Sequence, residues 1–204
     1  MLPLEDIKLY LPKYLSPKST DSLLDELKQF PENIDKRFYS KVCEYKDKIL
    51  QGDGLINLPV INLPESTVKD APVMVISNSC DNDPDNIRFF DSRVSYCPIF
   101  KLNKYKNMLL ESGEENDKVD SHINLIRKQQ LVQIFYLPNG AGLEEESFIF
   151  FNKVVSCDSD AIFQEGKNRN KIFSLGNYGI YFFVFKLSIY FTRLNEGIDR
   201  NKET

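Results

Sequence analysis

Tryptophan is absent from this chain, histidine occurs once, and no apolar run reaches the roughly twenty residues that a bilayer crossing requires. The lone imidazole, His122, excludes a centre built from several histidines and is the one ring available as a general base. Cys43, Cys80, Cys97 and Cys157 lie far apart with no C-x-x-C spacing, which argues against a zinc ribbon or a disulfide scaffold and fits reduced thiols in a cytoplasm. The glycines form no dinucleotide or triphosphate fingerprint, so neither a cofactor nor a metal is expected. The opening Met1-Leu-Pro-Leu-Glu-Asp-Ile-Lys8 has no basic segment followed by an apolar one, so export and membrane association are not expected.

What is present reads as a globular protein. Of 204 residues, 42% are hydrophobic and 27% charged, and 15 Phe with 10 Tyr supply large side chains for a core. The charge is unevenly spread: residues 51–165 hold 10 basic and 18 acidic residues, while residues 166–204 hold 7 and 3. An acidic middle disfavours extended DNA binding, and the basic end offers a local anionic contact or simply a solvated face.

The pattern predicts an α+β chain in three parts: an N-terminal helical arm over 1–50, a core of short strands over 51–165 and a long C-terminal helix within 166–204 that packs on the core. In the arm, Leu23, Leu24 and Leu27 form one helical stripe ended by Pro31. Phe38, Val42, Tyr45 and Ile49 predict a second helix from Asp35 to Ile49. After the turn Gly52-Asp53-Gly54, extended pieces over Leu55–Leu63 are broken by Pro59. Strands are predicted over Val73–Ser77, Ser95–Leu102, Leu131–Leu137 and Ser147–Val155, and Pro138-Asn-Gly-Ala-Gly142 joins the last two as an antiparallel hairpin. A short helix is expected over Lys104–Leu110, then a polar stretch from Glu111 to Ser121 with His122 at its end. Ile180, Phe183, Val184, Leu187, Tyr190, Phe191 and Leu194 mark the buried face of a helix from Asn177 to Asn195. Strands without regular crossover helices argue for a mostly antiparallel sheet that curls into a small β-barrel.

Chemistry is expected where the strand Ala71-Pro-Val-Met-Val-Ile-Ser77 stops in the polar turn Asn78-Ser-Cys-Asp-Asn-Asp-Pro-Asp-Asn86. Cys80 is either a nucleophile, which would pair with the chain's one imidazole at His122 and have Asp81 as a neighbouring catalytic candidate, or a buried small hydrophobe; the buried form is the expectation here. Asp81, Asp83 and Asp85 alternate like calcium ligands, but the position where the loop needs a final Glu is Ser92, so an Asx-type turn is expected. If RNA is the ligand, Ser77, Ser79, Arg88, Arg93 and Lys101 are the residues to hold its phosphates; otherwise the three cations balance neighbouring aspartates.

Gly52-Asp53, the strand ending near Ser77 and Tyr96-Cys-Pro-Ile-Phe-Lys-Leu102 together resemble the early part of MazF/PemK-like growth-inhibitor domains, over roughly residues 50–158. That resemblance implies an SH3-like barrel, a toxin-antitoxin or phage-defence setting, and either RNA or a protein such as an antitoxin as partner. The family's Arg-Pro element corresponds to Ala71-Pro72, so the arginine that would stabilise charge during RNA cleavage has no counterpart; the expectation is a barrel that binds RNA or a partner at the Ser77–Asp81 strand end, with metal-independent RNA cleavage not favoured, and the alternative, from the acidic middle and the helical extensions, is a noncatalytic protein-interaction module. The order Gly-Asp, Ile76-Ser-x-x-Cys-Asp81 and Phe185-Lys-Leu-Ser188 also resembles an uncharacterised bacterial family.

Overall fold

The computed structural model describes residues 38–40, 48–83, 85–86, 88–163 and 171–192. Its centre is a seven-stranded, antiparallel sheet of β1 (Gly54–Asn62), β2 (Glu65–Val75), β3 (Arg93–Lys101), β4 (Ile134–Leu137), β5 (Ser147–Phe150), β6 (Val155–Asp158) and β7 (Lys171–Phe173), in the order β4-β5-β3-β2-β1-β7 with β6 also on β3. Five helices accompany it: α1 (Ser79–Asn82), α2 (Leu102–Glu111), α3 (Asn116–Arg127), α4 (Ser159–Phe163) and α5 (Asn177–Thr192). The sheet is open, with β4 and β7 at its edges and no ladder between them among the described residues.

β3 organises the core because both of its faces are buried. Val94 and Tyr96 turn to one apolar cluster with Leu55, Leu58, Val73, Val75 and Ile162, whereas Cys97 and Ile99 turn to the opposite face with Met74, Phe135 and Phe183. This is the period of two expected of a strand. Further along, Phe100 joins a third cluster in which α2 and α3 cover β4 and β5 through Leu102, Ile123, Ile126 and Phe148. Burial pushes the Cys97 thiol pKa up to about 12, so this cysteine packs as an apolar group.

Several expectations hold. The hairpin around Pro138–Gly142 joins β4 and β5 with Leu137 opposite Ser147, and α2 covers the predicted short helix. Others change for identifiable reasons. Pro59 does not break its strand: β1 runs through it, and its two register shifts fall on either side, between Leu55 and Leu58, where Asn57 adopts φ 59°, and between Ile61 and Asn62. β7 reaches β1 only at Gly54 and Leu55, so at Pro59 no ladder on that side requires its missing N–H. The strand predicted over Ser147–Val155 divides into β5 and β6, which pair with Ile99–Lys101 and Arg93–Tyr96 on the same side of β3. Between them the partner strand parts from β3 beside Cys97 and Pro98, and Pro98 has no N–H to offer. The polar stretch after Glu111 is largely α3, whose buried Val119, Ile123 and Ile126 form a narrow stripe diluted by eight polar or charged neighbours within the helix.

A helix over Asp35–Ile49 fails at both described ends. Phe38–Ser40 is a bend followed by a bridge of Tyr39 to Leu175, and Lys48–Leu50 is not helical; residues 41–47 and the earlier helix of the arm lie outside the described residues. The Phe38–Ser40 segment instead straps the two sheet edges together. Ser40 N–H donates to Ser174 C=O at 2.8 Å beside β7, while the Tyr39 hydroxyl donates to Pro138 C=O at 2.6 Å beside β4. Burial first, then the nearby Tyr136, pushes the Tyr39 phenol pKa up, which keeps it a donor.

α5 is helical as expected, but it is rotated. Its buried residues are Tyr178, Gly179, Phe182, Phe183 and Lys186, while Phe191 is 61% exposed. The helix is apolar almost all round, so periodicity alone gives little contrast between faces. Gly179 decides the matter: a Cβ there would collide with the Phe38 carbonyl oxygen, so only this face allows so close an approach. Leu194 lies outside the described residues.

Candidate functional site

The turn after β2 is built by polar side chains serving the backbone. Asn78 caps α1, its side-chain oxygen accepting the Cys80 N–H at 3.0 Å. Ser77 donates its hydroxyl to Asn82 Oδ1 at 2.6 Å and accepts the Ser95 N–H at 3.0 Å, which ties the turn to β3. Ser79 Oγ accepts the Gln51 N–H at 2.9 Å, and Gln51 Nε2 donates to Ile76 C=O at 2.8 Å. The hydroxyls expected to hold phosphate thus hold the framework.

Gly52 and Asp53 meet the same turn from the other side. Gly52 N–H donates to Val75 C=O and Val75 N–H to Asp53 C=O, each at 2.9 Å. Gly52 sits at φ 86°, in the left-handed region that glycine enters without strain. The Asp53 carboxylate is 1% exposed and accepts from Leu50 N–H at 2.8 Å, Ser174 hydroxyl at 2.6 Å and Lys171 Nζ at 2.8 Å. A buried carboxylate is tolerated when its lone pairs are filled in this way. The Gly-Asp and Ile-Ser-x-x-Cys-Asp elements are therefore two halves of one joint.

Cys80 is exposed, which overturns its expected burial. Asn82, not Cys80, is the buried residue of α1, so the thiol points out. Its carbonyl is held by Asn86 Nδ2 at 3.0 Å and Arg88 at 2.8 Å. Arg88 also pairs with Asp81 at 2.7 Å, and the Ser92 hydroxyl donates to Asp81 C=O at 2.6 Å, closing the loop over α1. Asp83 Oδ1 accepts the Asp85 N–H at 3.1 Å, the expected Asx turn, and its other oxygen takes Lys48 at 2.8 Å. Among the described residues no three His, Cys, Asp or Glu side chains gather as metal ligands.

The remaining candidates lie elsewhere or face carboxylates. Arg93 pairs with Asp158 and donates to Ser156 C=O at 2.9 Å, joining β3 to β6. Lys101 pairs with Glu145 at 2.6 Å, which raises its pKa. It stands at the far end of β3 from Ser95, roughly 20 Å of extended chain away. His122 is within α3, not at the end of a loop, and its Nε2 lies 3.2 Å from the Tyr105 hydroxyl in the α2–α3 layer beyond that same end of β3. The structure brings Cys80, Asp81 and Arg88 together and leaves His122 apart from them, so the thiol has no imidazole to take its proton.

Residue reasoning missed the two side chains that most change the surface here. Phe89 is fully exposed and Phe90 70% exposed, with the Arg88 guanidinium 5.8 Å from the Phe90 ring centre. The signal was present as an aromatic doublet inside a polar turn, Arg88-Phe-Phe-Asp91. No protein-family model matches this chain, and no curated protein matches it.

Proposed function

We propose that this chain is a noncatalytic interaction module, an SH3-like barrel of MazF/PemK-like type whose protein-binding edge is the Ser77–Asp81 strand end together with Phe89 and Phe90. The observation that carries the reading is the exposure of both rings on a loop pinned by Arg88 and Ser92, since large rigid aromatics on a preorganised base are what a protein interface uses as anchors. Every cation considered for phosphate binding faces a carboxylate: Arg88 on Asp81, Arg93 on Asp158, Lys101 on Glu145. The barrel reading is supported by the Tyr39 strap, which links both edges of the open sheet. Free thiols at Cys80, Cys97 and Cys157 support a reducing, cytoplasmic setting, and the toxin-antitoxin or phage-defence context rests on the resemblance alone.

A photo-crosslinking residue in place of Phe89, used in the native host, tests this. The expected product is a discrete protein adduct whose yield falls about thirtyfold with Phe90→Ala, the loss of about 2 kcal/mol typical of an interface anchor. An adduct with RNA, or cleavage of single-stranded RNA by the purified chain, would replace the module with the nuclease reading.

A further inference from the structure

Among the described residues, three cations and six carboxylates lie on the segments that carry Phe89 and Phe90 or are bonded to them. Lys48, Arg88 and Arg93 are matched one to one by Asp83, Asp81 and Asp158. Asp85, Asp91 and Asp160 are exposed and have no cation opposite them among the described residues. Hydrogen bonds hold these segments together: Ser159 N–H donates to Ser92 C=O at 3.0 Å, the Ser159 and Ser92 hydroxyls are 2.8 Å apart, and Ser92 reaches Asp81 C=O. The start of α4, with Asp160, is thereby fixed beside the loop that bears Asp91 and the two rings.

A surface of this kind selects its partner by charge. Three surplus carboxylates around two exposed rings repel a phosphate backbone and attract a cation, most strongly where salt screening is low. The rings strengthen the same preference. Their faces attract ammonium and guanidinium groups, and Arg88 over Phe90 is that contact made within the chain. Phe89 offers a second such face, fully exposed.

Resting on the interaction-module reading, we infer that the partner is a basic protein segment, with Lys or Arg side chains set against Asp85, Asp91 and Asp160 and one of them, or an apolar neighbour, against Phe89. The test uses the full chain carrying the photo-crosslinker in place of Phe89, in host lysate, with the captured segment identified by mass spectrometry. The expected segment has a surplus of Lys and Arg. Its yield drops at least tenfold between 50 mM and 500 mM salt, and again with Asp85→Lys combined with Asp91→Lys. Reversing Glu111 and Glu114 to Lys, exposed charges at the end of α2, should leave the yield unchanged and so controls for net charge. A captured segment that is neutral or acidic, or a yield indifferent to salt and to the Asp85/Asp91 reversal, overturns the basic partner while leaving a docking edge in place. No protein adduct under any condition overturns both.

Discussion

Single residues in this molecule are decided by where a polar atom can find a partner. Cys80 is exposed and Cys97 buried with its thiol pKa raised, so a thiol reagent at neutral pH should modify Cys80 in seconds to minutes and Cys97 only after unfolding. Cys80→Ala should change stability by less than about 0.5 kcal/mol, as at other exposed positions; a loss several times larger in urea denaturation would mean the thiol is packed after all. Lys186 is the opposite case. It is 5% exposed, and its Nζ lies 2.6 Å from Gln129 Oε1, an oxygen that also accepts the Tyr136 N–H at 3.0 Å. Burial holds the Lys186 pKa well below its ordinary value. Between that depressed value and about 10.4 the unfolded chain binds more protons than the folded one, so Lys186 makes stability rise with pH through this window. Lys186→Met should therefore stabilise the fold at pH 7, on the order of 1 kcal/mol, and flatten the rise towards pH 10; urea midpoints at pH 6, 8 and 10 read both, and an unchanged slope sinks the account.

Elements are positioned here by close backbone approaches and by exposed edges that are blunted. Gly179 lets α5 lie against the Phe38 carbonyl, and Gly179→Ala must push helix and strap apart. Its expected loss is about 1–3 kcal/mol, the range of core overpacking changes, despite alanine's better helix propensity. A stabilised variant in thermal denaturation would show that α5 moves freely on the sheet. The distal half of the β1–β2 hairpin is the reverse situation. Every residue from Ile61 to Asp70 is exposed, and β3 pairs with β2 only over Val73–Val75. Pro59, Lys69, Pro72 and a register shift at Ile61/Asn62 all discourage a further strand from adding to this ribbon. β4 and β5 were legible as short, β-branched and aromatic runs on either side of a Gly-rich turn, buried at all four positions of β4 and at three of four in β5. Periodicity failed for α3, where three buried residues are spread among polar ones, and for the face of α5, where almost every residue is apolar.

For the molecule as a whole, the strap of Phe38–Ser40 couples edges that no ladder joins among the described residues. Tyr39→Phe removes one bond, from the hydroxyl to Pro138 C=O, and should destabilise by about 1 kcal/mol. Its signature is spatial: hydrogen exchange should accelerate at β4 and at β7 together, since both lean on the strap. Acceleration confined to β4 would mean that the edges open independently. The proposed docking edge belongs to the same scale, because its parts come from the end of β2, the loop that carries Phe89 and Phe90, β6 and α4, brought together by Ser77–Ser95 and Ser92–Ser159 bonds.

By itself the sequence determined the α+β class, the antiparallel β4–β5 hairpin, the strand ending at the Ser-x-x-Cys-Asp turn and the acidic character of the middle of the chain, because turn residues, branched strand residues and charges act locally. Tertiary structure decided what those residues do. Ser77 and Ser79 looked available for a ligand and are taken up by backbone N–H groups distant in sequence; Cys80 faces out because Asn82 makes the buried bonds of α1; His122 is carried to the far end of β3 by the α2–α3 layer. Which donors remain open to a partner depends on pairings across the whole chain, and no local pattern contains them.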